Sequence, residues 1–216
     1  MPTVYGVALS PFVRKVRVAM AEKGITYDLD PVIPVNVSPE FRKISPLGKV
    51  PAFRDGEITL ADSSVIVAYL ERTHPTPPPL FPSDPYEYAR ALWFEEYADS
   101  GLVAVIGPKI FFQKIVGPRF FDQKADEAVI QKAVQEELPP MFDYLESQLA
   151  PGTRTLVGGQ FTVGDIGVAS QFVNLFHAGF GVDAKRWPKL ATYLAAIHER
   201  PSFAPLIAEE RKVLQG

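Results

Sequence analysis

Asp62 and Ser63 stand where an alternating pattern, Glu57 to Leu60, gives way to an apolar helical pattern of about Ser64 to Arg72. The unsatisfied N–H groups in the first turn of such a helix form an anion site suited to a ligand carboxylate, and Asp62 is placed to hold a ligand ammonium. The same residue types also serve as turn and cap residues, and a helix beginning one residue later would bring Ser64 into the pair. About ten residues upstream runs Ser45-Pro46-Leu47-Gly48-Lys49-Val50-Pro51-Ala52-Phe53. Pro51 has no N–H to give to a ladder, so Val50 and the Val50–Pro51 bond suit a strand start whose backbone is left free for another partner. In the cis isomer the Val50 N–H and C=O turn outward, where an extended peptide pairs with them as an added strand; sequence leaves the isomer open.

The elements that position these residues follow from hydrophobic period and punctuation. Thr3 to Leu9 is rich in strand formers, and Ser10-Pro11 opens a helix with apolar Val13, Val16 and Met20 on one side and Arg14, Lys15 and Glu22 among its polar positions. Gly24 stops it, and Ile25, Tyr27 and Leu29 alternate as a second strand, which completes a right-handed βαβ unit. Pro31 to Arg42 reads as a loop and a short helix from Pro39. Val50 to Phe53 and Glu57 to Leu60 form a hairpin through Arg54-Asp55-Gly56, closed by the helix to Arg72. Six prolines between His74 and Tyr86 exclude a helix or central strand there and mark a domain boundary. Beyond it helical periodicity dominates over Tyr86 to about Phe112, Asp122 to Gln148, Val163 to His177, Pro188 to Arg200 and a short last helix near Phe203 to Lys212.

Ser45 to Phe53 and Asp62-Ser63, with Leu9-Ser10-Pro11-Phe12-Val13-Arg14-Lys15-Val16-Arg17 upstream, resemble the cytosolic glutathione transferase family in order and spacing. Gly159-Gln160-Phe161-Thr162-Val163-Gly164-Asp165-Ile166-Gly167-Val168-Ala169 is similar to that family's buried capping segment, so the resemblance covers nearly the whole chain. It is to serine-type, bacterial-like members. It implies an α/β thioredoxin-like N-terminal domain (βαβ then ββα) over 1–75 that binds glutathione, a proline-rich linker over 76–86, and an all-α helical bundle over 87–216.

On that resemblance Ser10 matches the thiol-activating hydroxyl. A free thiol with a pKa of about 8.5 is only roughly 3% thiolate at pH 7, and a hydroxyl donating to sulfur at a helix N-terminus stabilises the anion through the bond and the local positive potential. A shift of about two units needs roughly 2.7 kcal/mol, within reach of those two terms. Without the resemblance Ser10 reads as a helix cap with Pro11 at the first helical position. Tyr5, the other hydroxyl near the N-terminus, reads as lying inside the first strand. Glutathione binding is expected of Ser10, Lys49, Val50, Pro51, Asp62 and Ser63, with Lys49, and secondarily Asn36, toward the glycine carboxylate. The family's second substrate implies an apolar pocket from Phe12, Phe111, Phe112, Ile115 and Phe120, with Arg119 as an anion contact; such a density of phenylalanines also reads as core or subunit contact. Glu95, Glu96 and Asp99 fit a solvated helix face, and His74, His177 and His198 surface or helix-end positions. Thr162 and Asp165 form a capping-box pattern of structural purpose.

With no cysteine among its residues the chain has no disulfide, no thiolate metal site and no protein-based thiol exchange, which removes the glutaredoxin-like and dehydroascorbate-reductase-like branches. Three scattered histidines form no metal constellation. A formal net charge of -3 gives no electrostatic case for nucleic acid, and no apolar stretch approaches the roughly 18 to 20 residues that span a bilayer. Met1 runs straight into a strand pattern without a signal segment, so a cytoplasmic protein is expected. The resemblance implies a homodimer through the helix from Tyr86, a role in detoxification, no cofactor beyond glutathione as co-substrate, and conjugation of the thiol to an apolar electrophile. Glutathione-dependent isomerisation or peroxide reduction uses the same thiolate, and the same fold also serves non-catalytic binding partners.

Overall fold

The computed structural model describes residues 1–75 and 78–215. Thr76 and Pro77, which open the expected linker, lie outside the described residues. The chain divides into two compact units, one comprising the N-terminal part to Phe81 with the C-terminal segment from Pro201, the other Pro82–Arg200.

In the first unit β1 (Thr3–Tyr5), α1 (Pro11–Glu22), β2 (Asp28–Asp30), α2 (Pro39–Ile44), β3 (Ala52–Asp55), β4 (Ile58–Ala61) and α3 (Ser63–Thr73) follow in order. The sheet runs β2-β1-β3-β4, with β1 and β2 parallel and the other neighbours antiparallel, which is the βαβ then ββα arrangement of a thioredoxin-like domain. Val4 and Phe53 are register partners and both fully buried, and Val13, Val16 and Met20 of α1 with Ile66, Val67 and Leu70 of α3 complete the core.

Several boundaries differ from the sequence reading. β1 stops at Tyr5 because Gly6 takes φ 146, so Tyr5 ends the strand, and its ring packs edge-on against Phe41 of α2, 6.2 Å between centroids. β2 starts at Asp28 rather than Ile25, where pairing with Thr3 begins. The hairpin turns on Gly56 and Glu57, one residue later than expected, with Gly56 at φ 57. The basic residues of α1 are not on a solvated face: Arg14, Lys15 and Arg17 are all buried. The last helix, α11 (Ala204–Gln215), which the sequence reading placed in the helical domain, packs on α1 within the first unit through two ion pairs, Arg14–Glu210 and Arg17–Glu209.

The second unit is all helical. A single rod from Pro85 to Phe120 contains α4 (Pro85–Glu96), α5 (Val103–Val105) and α6 (Gly117–Phe120), joined by wider π-helical turns over Tyr97–Leu102 and Ile106–Val116. The helix passes Pro108 and Pro118, whose missing N–H groups fall within or just after a widened stretch, and so continues beyond the expected end at Phe112. By length and composition alone this rod is long and apolar enough to cross a bilayer, contrary to the expectation that no stretch is; here one side of it packs against α9 (Val163–His177), and a third of its most apolar window is buried. α7 (Glu127–Lys132) and α8 (Leu138–Gln148) form a second rod through a π turn, capped by Asp126 rather than begun at Asp122, and α10 (Pro188–His198) follows α9. Nearly all of α9 is buried. Its Gly164 lies so near α4 that a Cβ there would stand 2.8 Å from the Ala91 carbonyl oxygen and 2.9 Å from Phe94 Cβ. That closeness buries Glu95, whose neighbourhood includes Gly167, so Glu95 is not on a solvated face as its spacing implied.

Asp165 of α9 is fully buried and accepts the N–H groups of Leu156 and Thr162, each at 2.8 Å, and the Thr162 hydroxyl at 3.0 Å, completing the expected capping box. Burial pushes its pKa up to about 6, against the pull of those donors and the neighbouring Tyr193 hydroxyl. The three histidines stand at helix ends: His74 caps α3, His177 ends α9, and His198 ends α10, its Nε2 2.9 Å from the Ala169 carbonyl oxygen.

Candidate active site

Register alone gathers the candidate residues. Tyr5, Ala52 and Ala61 lie in one row across the sheet, so the residues just past that row, Gly6 after β1, Pro51 before β3 and Asp62 after β4, share one end of it. Ser10 follows four residues after Gly6, at the N-terminus of α1. The gathering is tight at Gly6, where a Cβ would stand 2.5 Å from Val13 Cγ2 and 3.0 Å from Val50 Cβ. A glycine there lets the start of α1 and the Val50–Pro51 bend approach the same backbone.

Ser10 caps α1 with extended backbone, and Pro11 takes the first helical position. Its Oγ accepts the Val13 N–H at 3.4 Å, a long bond, and its carbonyl accepts the Arg14 N–H at 2.9 Å. Among the described residues nothing accepts the Ser10 O–H, so a half-exposed hydroxyl at the positive end of a helix has its proton available to a ligand atom. The ring of Tyr5 packs edge-on against Phe41.

The Val50–Pro51 peptide bond is cis. Pro51 is buried and Val50 half-buried, and no hydrogen bond among the described residues engages Val50. The loop before it is held from beneath: the buried Ser45 donates its hydroxyl to the Lys49 carbonyl at 2.7 Å, and Gly48, at φ 66, returns its N–H to the Ser45 carbonyl at 2.8 Å. Lys49 is exposed, and nothing among the described residues pairs with its ammonium. Asn36, the second candidate, is an exposed loop residue at φ 51.

Helix α3 starts at Ser63, which settles the register: Asp62 is the cap and Ser64 lies inside the first turn. Asp62 stands at φ 80, a backbone region that a side chain rarely adopts and that recurs at ligand clamps. Its carboxylate accepts from the N–H groups of Ser64 at 2.9 Å and Val65 at 3.3 Å. Two first-turn donors are therefore already satisfied internally, which narrows the anion site foreseen from sequence to the Ser63 N–H and hydroxyl. Ser63 is nearly wholly buried, and no hydrogen bond among the described residues engages its hydroxyl.

Lys15 is the residue that periodicity missed. It is buried, and its Nζ donates to Ser64 Oγ at 2.9 Å, which brings a cation from α1 to the first turn of α3 beside Ser63. The available signal was three basic residues in four positions of a helix without an acidic residue in its first turn.

The pocket candidates are divided between the units, with Phe12 on the first turn of α1 and the other five on the rod of the second unit. Phe111 is buried, Phe112 stacks on Phe121 at 6.1 Å, Ile115 is half-buried, and the Arg119 guanidinium lies 5.9 Å from the centre of the exposed Phe120 ring. Among the described residues no group of three or more acidic or histidine side chains is arranged to hold a metal ion.

Comparison with known proteins agrees with this geometry. Residues 4–78 match the family described as glutathione S-transferase, N-terminal domain, and residues 126–196 match glutathione S-transferase, C-terminal domain. The chain is 28% identical to glutathione S-transferase Z2 of Arabidopsis thaliana, over 96% of this chain and 91% of that one. It is 31% identical to the GST-like protein YibF of Escherichia coli, over 90% and 93%, and 28% identical to maleylacetoacetate isomerase of Rattus norvegicus, over 88% and 84%. Among solved structures, a glutathione S-transferase from Rhodospirillum rubrum superposes with a TM-score of 0.85 at 26% identity, covering 95% of this chain and 91% of that one. With both domains matched in order along one continuous chain, the protein belongs to the glutathione S-transferase family.

Proposed function

We propose that this transferase binds glutathione in its first unit and that Ser10 donates a hydrogen bond to the glutathione sulfur, holding it as the thiolate that attacks an apolar electrophile. The observation that carries the reading is the Ser10 hydroxyl, whose proton has no acceptor among the described residues, at the N-terminus of α1 and at the sheet end that also carries Val50, Pro51 and Asp62. The cysteinyl segment pairs with the Val50 backbone as an added strand, with Lys49 toward the glycine carboxylate. The γ-glutamyl end lies at α3, its ammonium on Asp62 and its carboxylate on the Ser63 donors, with the Lys15 cation behind them. The acceptor candidates that the family implies are Phe12 on the first unit and Phe111, Phe112, Ile115, Phe120 and, as an anion contact, Arg119 on the rod of the second. The reaction forms a carbon–sulfur bond and releases a halide or another leaving group, or adds the thiolate to an activated double bond whose resulting carbanion takes a proton from water, and it requires no metal or prosthetic group. A cytoplasmic homodimer with a detoxifying role completes the proposal. Exposed Tyr86, Tyr88 and Trp93 on α4 support that interface, and a concentration-independent monomer mass in solution would overturn it.

A second reading is favoured by the likeness to the rat maleylacetoacetate isomerase: the same thiolate adds to a conjugated double bond, permits rotation, and leaves again, regenerating glutathione. The two are separated by the product, since conjugation consumes glutathione and isomerisation does not. The experiment for both is turnover with an aryl halide and with a cis-configured unsaturated dicarboxylic acid, in wild type and Ser10→Ala. A loss of at least about tenfold in kcat/KM supports thiolate stabilisation by Ser10, and equal activity of the two proteins contradicts it.

A further inference from the structure

The C-terminal helix is fastened to the helix that carries Ser10, and the fastening runs toward the active end. Each step forward along α11 is a step back along α1. Ser202, just before α11, donates its hydroxyl to Glu22 Oε1 at 2.5 Å. Glu209 takes the two terminal nitrogens of Arg17 at 3.1 and 2.6 Å. Glu210 takes Nε and Nη2 of Arg14 at 2.7 and 2.5 Å, with both side chains fully buried. Arg17 also donates Nε to the Tyr27 hydroxyl at 2.7 Å, and although burial works to lower its pKa, the bonds to Glu209 and Tyr27 leave it raised.

A wholly buried ion pair is a weak source of stability, because the desolvation of both charges offsets most of their attraction and an apolar pair of similar volume is often as stable. What a two-pronged guanidinium–carboxylate pair supplies is orientation, since both partners are planar and two parallel bonds leave little freedom of rotation. Arg14 is the residue whose N–H closes the first turn of α1 on the Ser10 carbonyl at 2.9 Å. The side chain that Glu210 grips therefore belongs to the residue that fixes the Ser10 backbone, 196 positions away in sequence.

We propose that Glu210, acting through Arg14, is a positioning residue for Ser10: the buried two-pronged pair sets the first turn of α1 so that the Ser10 hydroxyl meets the glutathione sulfur. The proposal rests on the Ser10 reading above. Arg17 and Glu209 hold the same helix one turn further on.

The test is the pH titration of the bound glutathione thiol, followed by thiolate absorbance in the full chain. The Arg14→Met/Glu210→Leu double variant removes one charge of each sign, so net charge is unchanged and the readout is geometric. Its urea midpoint should stay near that of wild type, while the thiol titration moves up by about one pH unit, a roughly tenfold smaller thiolate fraction below the midpoint. Arg14→Lys, which keeps the charge and loses the two-pronged geometry, should move the titration the same way and is the readout if the double variant does not fold. In a Ser10→Ala background either replacement should have no further effect. If wild type and Ser10→Ala differ but the pair variants titrate like wild type, or if they shift equally without Ser10, the positioning role is overturned while the Ser10 reading stands. If wild type and Ser10→Ala titrate alike, it is the Ser10 reading that fails.

Discussion

Replacing Asp165 by asparagine should cost the fold less as pH rises, the reverse of what a buried carboxylate with three hydrogen bonds suggests at first sight. Burial raises the Asp165 pKa to about 6, from an ordinary value of 3.8. A carboxyl whose pKa is higher in the folded state binds more protons folded than unfolded between those two values, so stability falls as pH rises through that window. The whole effect is about 3 kcal/mol for a difference of about two units, of which about 1.4 kcal/mol falls between pH 5 and 7.5. Asparagine keeps one acceptor for the Leu156 N–H but turns an amide NH2 toward the Thr162 N–H, a loss of about 1 to 3 kcal/mol that does not depend on pH. The assay is urea unfolding of both proteins at half-unit pH steps from 5 to 7.5, with glutathione affinity measured on the folded proteins. The stability gap should narrow by about 1.4 kcal/mol toward neutral pH, with affinity unchanged. A gap that widens with pH means that the three donors outweigh burial and that the native pKa lies below 3.8, which would refute the reasoning.

Other substitutions probe the site and the helical core. Gly6→Ala places a methyl 2.5 Å from Val13 Cγ2 and 3.0 Å from Val50 Cβ at a φ of 146, so the Val50 bend must move; glutathione affinity should fall about tenfold by calorimetry, and wild-type affinity would show that the bend tolerates displacement. Gly164→Ala meets the Ala91 carbonyl oxygen at 2.8 Å, backbone that yields only by separating α4 from α9, and should cost about 2 to 3 kcal/mol in urea unfolding; a cost under about 0.5 kcal/mol would contradict that packing.

The parts of this structure that were legible in the sequence are those written in local chemistry. Ser10-Pro11 marked the start of α1, Thr162 with Asp165 marked the start of α9, and the bounds Val163 to His177 agree with the helix observed. What was illegible depended on partners far along the chain. Side-chain type places Arg14 and Arg17 at the surface, and only acceptors on α11 make their burial tolerable. The same pairs carry the last helix into the first unit, which helical periodicity has no means of expressing. Glu95 is buried because two glycines of α9 admit its helix closely, again a tertiary cause. The end expected near Phe112 rested on regular α-helical spacing, whereas widened turns carry the rod past Pro118 to Phe120. At the site, Asp62 and Ser63 were found by type, but the filling of two first-turn donors by Asp62 itself, and the arrival of Lys15, follow from the strained cap and from the packing of α1 on α3.

The most direct test of the account is the ultraviolet difference spectrum of bound glutathione against pH, in wild type and in Ser10→Ala. Thiolate absorbance should appear near or below neutrality in wild type, about two units under the free thiol, and should return toward about 8.5 in the variant. Glutathione that binds to wild type without ionising, or ionises equally in both proteins, would contradict the claim that Ser10 makes the nucleophile.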